Sequence, residues 1–238
     1  MKLLIDAGNS RVKWAVHDGR GWLVQGAVEH GEIASLAEVW RQWPIMTAWG
    51  ASVARDEVAQ ALAAATPCPL RWVRAEAGFG DVRNAYRNPA EQGADRWLAV
   101  LAARQLHQGD VIVACAGTAL TVEALTAEGE YLGGLIVPGL NLMLSSLARN
   151  TANLNRAVGV VTPFPQGTED ALASGAVYAL TGAVEAQRRQ LQAHTGRAPV
   201  RVVLTGGDAA RLAPWRAGPV EIVDNLVLLG LLRVADEK

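Results

Sequence analysis

The sequence has few cysteines, no surplus of basic residues and no long apolar run, and each shortage excludes a class of protein. Its two cysteines, Cys68 and Cys115, are too few for a disulfide framework or a four-sulfur zinc site. It carries 22 Lys and Arg residues against 23 Asp and Glu residues, a net charge of −1, so no nucleic-acid partner is expected. No run reaches the ~18 apolar residues of a membrane span, so no membrane partner is expected either.

The remaining composition is typical of a cytoplasmic globular protein. Half of the 238 residues are hydrophobic and 19% are charged, which suits one large domain or two small ones with a full core. The apolar N-terminus meets Asp6 and Arg11 too early for a signal peptide. Low cysteine use also fits the reducing cytoplasm.

Common catalytic motifs are missing as well. The sequence contains no GxxxxGK[ST] loop, no GxGxxG turn opening a helix, no HRD or DFG tripeptide and no GxSxG elbow. The four histidines lack the clustering of zinc ligands. We therefore expect them to be ordinary surface or loop residues; they are His17, His30, His107 and His194.

A pattern of strand, small-residue turn, strand, acid-Gly turn and strand occurs twice. The distance along the chain from Gly8 to Gly117 is the same as that from Asp6 to Cys115. The pattern alone fits either a duplicated domain or two unrelated hairpins of an α/β protein. A domain boundary is predicted near Gln108-Gly109, which gives domains of residues 1–108 and 109–238.

Apolar periodicity predicts the remaining elements of an α/β protein. Strands are predicted at Leu3–Ile5, Val12–Val16, Trp22–Val28, Met46–Ser52, Leu70–Val73, Val111–Ala114, Leu120–Leu125, Tyr131–Val137 and Val202–Leu204. Helices are predicted at Ile33–Gln42, Arg55–Ala65, Gly93–His107, after Gly139, at Thr168–His194 and at Asn225–Val234.

The turn after the first strand carries groups suited to phosphate. A glycine-containing turn exposes backbone N–H groups that hold anions, and Lys13 would neutralise phosphate charge. Asp6, at the strand end, suits hydrated Mg²⁺, which prefers oxygen ligands. The alternative is a plain hairpin whose residues merely suit a turn. A related turn follows the first strand of the second copy, near Gly117, and the two turns together would hold the two ends of a triphosphate.

An acid and a guanidinium stand together where the helix after Gly93 begins. Asp95 would accept a proton from a substrate hydroxyl, and Arg96 would bind a carboxylate with its two-pronged side chain. The alternative is that Asp95 only complements the helix dipole. The polar and aromatic segment Asn84–Pro89 is a candidate substrate loop.

Five segments together resemble the type III pantothenate kinase family. They are DAGNSRVKW (6–14), GADRW (93–97), AGTALTVEA (116–124), GGLIVPG (133–139) and TGGDA (205–209). The resemblance spans essentially the whole chain. It implies the fold of the acetate and sugar kinase, Hsc70 and actin superfamily: two tandem ribonuclease-H-like domains, each a mixed sheet flanked by helices, with the active site in the cleft between them.

The resemblance also implies an activity and residue roles. The activity is ATP-dependent phosphorylation of pantothenate to 4′-phosphopantothenate, the first step of coenzyme A biosynthesis. The resemblance also implies a homodimer, and the apolar helix face at Trp97 and Leu101 is consistent with one. The implied ATP-binding residues are Asp6, Ala7, Gly8, Asn9, Ser10, Arg11, Val12, Lys13, Gly117 and Thr118, with Mg²⁺ near Asp6. The implied pantothenate site is Tyr86, Gly93, Ala94, Asp95, Arg96 and Thr168, with Asp95 as the catalytic base.

One position departs from the family. Cys115 stands where members usually carry an Asp associated with a bound monovalent cation, K⁺ or NH₄⁺, so that site is in question; Glu123 keeps a carboxylate nearby. Two other functions compete with the kinase interpretation: another phosphotransferase of the superfamily, and a nucleotide-binding regulatory protein without kinase activity.

Overall fold

Two β-sheets and their flanking helices make up the computed structural model, which describes residues 1–216 and 218–238. The strands are β1 (Lys2–Ala7), β2 (Arg11–His17), β3 (Trp22–Glu29), β4 (Thr47–Ser52), β5 (Leu70–Trp72), β6 (Gly78–Phe79), β7 (Val82–Asn84), β8 (Val111–Ala116), β9 (Ala119–Leu125), β10 (Glu130–Pro138), β11 (Arg201–Thr205) and β12 (Glu221–Ile222). The α-helices are α1 (Leu36–Arg41), α2 (Asp56–Ala65), α3 (Ala94–Leu106), α4 (Leu140–Asn150), α5 (Thr168–Thr195), α6 (Ala209–Leu212) and α7 (Leu226–Glu237). Short 3-10 helices lie at His30–Ser35, Pro89–Glu91 and Ala213–Trp215.

The chain divides into two units. Unit 1 comprises residues 1–80, 86–102 and 225–238, and unit 2 comprises residues 81–85 and 103–224. The domain boundary near residue 108 stays a prediction.

The sheet of unit 1 has the strand order β3-β2-β1-β4-β5. Strands β1, β2 and β3 are antiparallel neighbours joined by short turns, whereas β4 and β5 run parallel to β1. Parallel neighbours need crossover connections, which α1 and α2 supply. The core on one sheet face includes Ile5, Trp14, Trp40 and Leu62; each fully buried side chain of this size stabilises the fold by roughly 1.5–3 kcal/mol.

The sheet of unit 2 repeats this topology. Its strands run β12-β11-β8-β9-β10-β7, so β10-β9-β8-β11-β12 matches β3-β2-β1-β4-β5. The shift along the chain that carries Asp6 to Cys115 also carries both ends of β1 to both ends of β8. The recurring strand–turn pattern is therefore a repeated sheet, and the predicted mixed α/β class is confirmed.

Three sequence expectations need correction. The segment predicted as a helix at Ile33–Gln42 is a 3-10 helix up to Ser35 and an α-helix over Leu36–Arg41, since 3-10 turns are frequent at the N-terminus of an α-helix. His17 is neither a surface nor a loop residue: it lies in β2, is only 8% exposed, and packs edge-on against Trp22 at 5.0 Å between ring centroids. The helix face at Trp97 and Leu101 is buried within the chain and so offers no dimer surface.

Three short strands escaped sequence analysis. Strands β6, β7 and β12 contain two or three residues each. Such lengths are too short to show an alternating apolar pattern. The other strands and the long helices were predicted within a few residues of their observed ends. None of the helices described here is long and apolar enough to cross a membrane.

Candidate active site

The β1–β2 turn presents a short stretch of exposed backbone. The Gly8 N–H donates to the Arg11 carbonyl at 3.1 Å, which closes a tight hairpin. Asn9, Ser10 and Arg11 are exposed, whereas Ala7 and Val12 are buried in the core of unit 1. Ala7 and Val12 can therefore offer a ligand only backbone groups.

Asp6 and Lys13 stand opposite each other at the base of this turn. They are directly paired across β1 and β2. Since Ala7 and Val12 point into the core, the alternation of a strand places Asp6 and Lys13 on the other sheet face. The pKa of Asp6 is raised to about 7 because burial disfavours its charged form and because Asp95 adds negative charge, while Lys13 partly offsets both.

The carboxyl ends of β1 and β4 lie together at this edge of the sheet. The two strands are parallel, with Asp6 beside Ala51. The Val53 N–H donates to the Ala7 carbonyl at 3.0 Å. A Cβ atom placed on Gly93 would lie 3.3 Å from Val53 Cγ1, so the start of α3 meets the same edge. This juxtaposition brings Asp95 close enough to Asp6 for their charges to interact.

Gly93 makes room for the Asp95 carboxylate. A Cβ on Gly93 would lie 2.6 Å from Asp95 Oδ1, closer than real Cβ contacts. That oxygen accepts a hydrogen bond from the Arg96 N–H at 2.8 Å. A carboxylate in the first turn is also favoured by the helix dipole. The carboxylate of Asp95, the predicted general base, is therefore positioned by Gly93 and by the Arg96 N–H.

Helix α3 is fixed by helix α7 inside unit 1. A Cβ on Gly230 would lie 2.1 Å from the Leu98 carbonyl oxygen, so the two backbones touch. Arg233 Nη1 donates to the Leu101 carbonyl at 3.0 Å. The C-terminal helix therefore sets the position of α3, and with it that of Asp95.

Arg96 and Tyr86 form a pair beside Asp95. Arg96 is only 6% exposed and its Nη1 donates to the Tyr86 hydroxyl at 2.9 Å. The Arg96 Cζ atom also lies 5.7 Å from the centre of the Tyr86 ring. Sequence analysis placed both residues in the substrate site, and the structure brings them into contact.

The β8–β9 turn of unit 2 is the counterpart of the β1–β2 turn. The Gly117 N–H donates to the Ala119 carbonyl at 3.1 Å, and the Thr118 carbonyl accepts from the Gly139 N–H at 2.9 Å. A Cβ on Gly139 would lie 2.2 Å from the Gly117 oxygen. Gly206, with φ +98°, packs as closely on the Ala116 carbonyl. Two glycine-containing segments from distant parts of the chain, at Gly139 and Gly206, thus pack against the β8–β9 turn.

The strand face around Cys115 carries oxygen-bearing side chains. Cys115 pairs with Thr121 across β9 and with Thr205 across β11. Glu123 is fully buried, and its Oε2 accepts a hydrogen bond from the Tyr131 hydroxyl at 2.6 Å. A Cβ on Gly134 would lie 2.2 Å from that oxygen, which explains the glycine opposite Glu123.

Thr168 is exposed in the first turn of α5 in unit 2. The preceding loop is tied to this helix: Asp170 Oδ1 accepts the Val160 N–H at 2.8 Å, and Ser174 Oγ accepts the Thr162 N–H at 3.0 Å. Thr168 also borders an apolar groove of about 360 Å³ that includes Met143, Leu147, Leu154 and Leu172.

Sequence reasoning missed two features, one in each unit. One is His30, whose Nε2 lies 3.0 Å from the Gly8 carbonyl oxygen. The other is the Glu123–Tyr131 pair, whose tyrosine carried no motif. His30 and Tyr131 belong to no sequence motif, so nothing near them in the sequence indicates these contacts.

Comparison with known proteins decides the family. A family model described as type III pantothenate kinase matches residues 2–190. The chain belongs to the type III pantothenate kinase family. A type III pantothenate kinase from Chromobacterium violaceum is 72% identical over 236 residues, which is 99% of this chain and all of that protein. Another, from Aromatoleum aromaticum, is 44% identical and covers all of this chain and 98% of its own length.

Solved structures share the fold of this type III pantothenate kinase family member. A protein from Campylobacter jejuni described as a Baf family transcriptional activator has a TM-score of 0.63 at 20% identity, covering 99% of this chain and 98% of its own. A protein from Sinorhizobium meliloti described as a 2-dehydro-3-deoxygalactonokinase has a TM-score of 0.61 at 15% identity, covering 100% and 99%. These likenesses support the predicted sugar-kinase fold.

Proposed function

We propose that this protein transfers the γ-phosphoryl group of ATP to the primary hydroxyl of pantothenate, forming 4′-phosphopantothenate in the first step of coenzyme A biosynthesis in the cytoplasm. Family membership supports the reaction. The observation that carries the residue roles is the position of Asp95, which Gly93 and the first turn of α3 hold beside Asp6 and next to the Arg96–Tyr86 pair.

Asp95 would act as the base toward the substrate hydroxyl. Phosphoryl transfer asks the protein mainly for positioning and charge stabilisation. A carboxylate is a weak base toward an alcohol hydroxyl. It therefore accepts the proton late, as the bond to phosphorus forms and the oxygen becomes more acidic.

The two glycine turns would bind ATP. In unit 1, residues Asp6 to Lys13 offer the exposed N–H groups of the turn and the Lys13 ammonium. In unit 2, Gly117 and Thr118 offer the corresponding turn. Turns of this kind bind phosphate through backbone N–H groups.

Asp6 would hold Mg²⁺ together with the ATP phosphates. No cluster of three or more metal-ligating side chains exists within residues 1–216 and 218–238. Mg²⁺ commonly uses one or two carboxylates and completes its shell with phosphates and water. A carboxylate whose burial raises its pKa also fits, because a divalent cation favours the ionised form. Bound Mg²⁺ would neutralise phosphate charge.

Arg96 and Tyr86 would bind the pantothenate carboxylate, with Gly93 and Ala94 completing the pocket and Thr168 contributing from unit 2. The Arg96 side chain donates to the Tyr86 hydroxyl, which fixes the orientation of its guanidinium group. The planar fork of a guanidinium suits a two-pronged contact with a carboxylate.

A homodimer completes the proposal. The groove that Thr168 borders is lined by Met143, Leu147, Leu154 and Leu172, and Leu142 and Phe164 are exposed in the same unit. Apolar surface of this kind is typical of an interface, and a second copy would cover it. Sedimentation at micromolar concentration is expected to show a dimer; a single species of one 25.2 kDa chain would contradict it.

A single-turnover assay tests the activity. Enzyme in excess over radiolabelled ATP is mixed with pantothenate and Mg²⁺, and labelled 4′-phosphopantothenate is expected. Sugars and acetate serve as alternative acceptors, so phosphorylation of one of them instead would favour another phosphotransferase. ATP binding without transfer to any acceptor would favour a nucleotide-binding regulator.

A further inference from the structure

We propose that His30 is a positioning residue for ATP: it holds the Gly8 carbonyl and thereby aims the Asn9 N–H in the β1–β2 turn. The inference rests on the proposed function, because it takes this turn as a phosphate-binding site. His30 Nε2 lies 3.0 Å from the Gly8 oxygen. A carbonyl oxygen only accepts, so Nε2 carries the hydrogen in this contact.

Peptide geometry transmits the effect from His30 to Asn9. A trans peptide is planar, and its C=O and N–H bonds point in opposite directions. With the Gly8 carbonyl turned toward His30, the N–H of Asn9 points away from His30. The Gly8 N–H is engaged with the Arg11 carbonyl at 3.1 Å, so this residue is anchored through both backbone groups.

Glycine at position 8 makes such an anchor necessary. Glycine has no Cβ and adopts many backbone conformations at little cost. A flip of the Gly8–Asn9 peptide would withdraw one N–H donor and turn a carbonyl oxygen toward the phosphate charge. Hydrogen bonding to His30 opposes that flip.

His30 itself is held in place by the chain around it. It is the first residue of the 3-10 helix His30–Ser35. Just before it, the Glu29 N–H donates to Glu32 Oε2 at 3.0 Å, and the Glu29 side chain accepts from the backbone of Glu32. This reciprocal cap fixes the backbone that directs the imidazole toward Gly8.

His30→Ala and His30→Gln test the role in the full-length protein. Loss of one hydrogen bond is expected to weaken binding of a non-hydrolysable ATP analogue by about 3- to 10-fold. The KM for ATP should rise to the same extent, while the KM for pantothenate stays within about 2-fold. Gln carries an N–H donor at a reach similar to Nε2, so His30→Gln should restore binding. His194→Ala, at an exposed histidine of α5, is the matched control and should change neither constant.

The outcomes separate the inference from the function on which it rests. Wild-type protein that phosphorylates pantothenate, with a selective ATP defect in His30→Ala and recovery in His30→Gln, supports the inference. Unchanged analogue binding in His30→Ala overturns it. Equal defects in the two variants also overturn it, because the donor would then be irrelevant. Wild-type protein that binds ATP but does not phosphorylate pantothenate contradicts the proposed function, while the binding comparison still decides the role of His30.

Discussion

The negative charge of Asp95 helps to raise the pKa of Asp6 to about 7, although the two residues are far apart in the sequence. Asp6 lies near the end of β1 and Asp95 lies in the first turn of α3. Burial is the larger cause of the shift, and the ammonium of Lys13 opposes it. Two acids and one lysine therefore form a coupled group, in which changing one acid alters the ionisation of the other.

Asp95→Asn tests the base. Asn is nearly isosteric and its side-chain oxygen can still accept the Arg96 N–H, so the fold and ATP binding should persist. Asn cannot take the substrate proton, and kcat is expected to fall by about 10²- to 10⁴-fold. Steady-state kinetics and ATP titration measure the two effects. A variant that keeps more than about half of the wild-type kcat would fall far short of the loss expected for a general base and would remove Asp95 from this role.

Asp6→Asn tests the pH dependence of stability in metal-free protein. Because the folded-state pKa of Asp6 is raised from 3.8 to about 7, its contribution to stability is fully present below pH 3.8 and is lost as the pH rises through 7. Asn does not titrate. The unfolding free energy of Asp6→Asn relative to wild type is therefore expected to increase from about pH 4 to about pH 7 and then level off.

Urea unfolding with EDTA across this pH range measures the Asp6 effect. Taking the difference between variant and wild type cancels the titrating groups that do not interact with Asp6. Asp110 is one of these groups; burial acts to raise its pKa, but hydrogen bonds from Arg197 and Thr195 leave that pKa lowered. A difference that does not change with pH would contradict the raised pKa. The same substitution should abolish activity if Asp6 binds Mg²⁺, so stability and catalysis would move in opposite directions above about pH 7.

Features formed by residues close together in the sequence could be predicted from it, whereas contacts between distant residues could not. The β1–β2 turn and the start of α3 were predictable because Asp6 to Lys13 and Gly93 to Arg96 are contiguous motifs. The recurring strand–turn pattern was visible because corresponding residues of the two copies keep a constant spacing along the chain, but the pattern alone also fitted two unrelated hairpins. The contact of His30 with Gly8 spans 22 residues and depends on where the 3-10 helix places an imidazole, which no local pattern encodes.

The packing role of Gly139 was likewise not predictable from the sequence, because it depends on a segment distant in the chain. The sequence placed Gly139 between a predicted strand and a predicted helix, and it lies between β10 and α4. Its closest neighbours are the carbonyls of Gly117 and Thr118. Only the packing of distant segments reveals that this glycine supports the second turn.

Arg96→Lys tests the pantothenate site. Lys keeps the positive charge but loses the planar fork that holds a carboxylate with two hydrogen bonds. It also has a different reach to the Tyr86 hydroxyl. The KM for pantothenate is expected to rise by about 10-fold or more, whereas the KM for ATP should change little. Pantothenol, which lacks the carboxylate, should be a poor substrate of the wild type; equal efficiency with pantothenol and pantothenate would exclude Arg96 as the carboxylate ligand.

Cys115→Asp tests the response to monovalent cations. K⁺ prefers hard oxygen ligands, and the thiol at position 115 provides none. Its strand neighbours Thr121 and Thr205 offer only hydroxyl oxygens, and the Glu123 carboxylate is engaged by Tyr131. The wild type should therefore depend less on K⁺ or NH₄⁺ than Cys115→Asp does. Comparing kcat/KM in K⁺, NH₄⁺ and a large organic cation measures this. Strong K⁺ activation of the wild type that the substitution leaves unchanged would show that position 115 does not determine the response and that other oxygens complete the site.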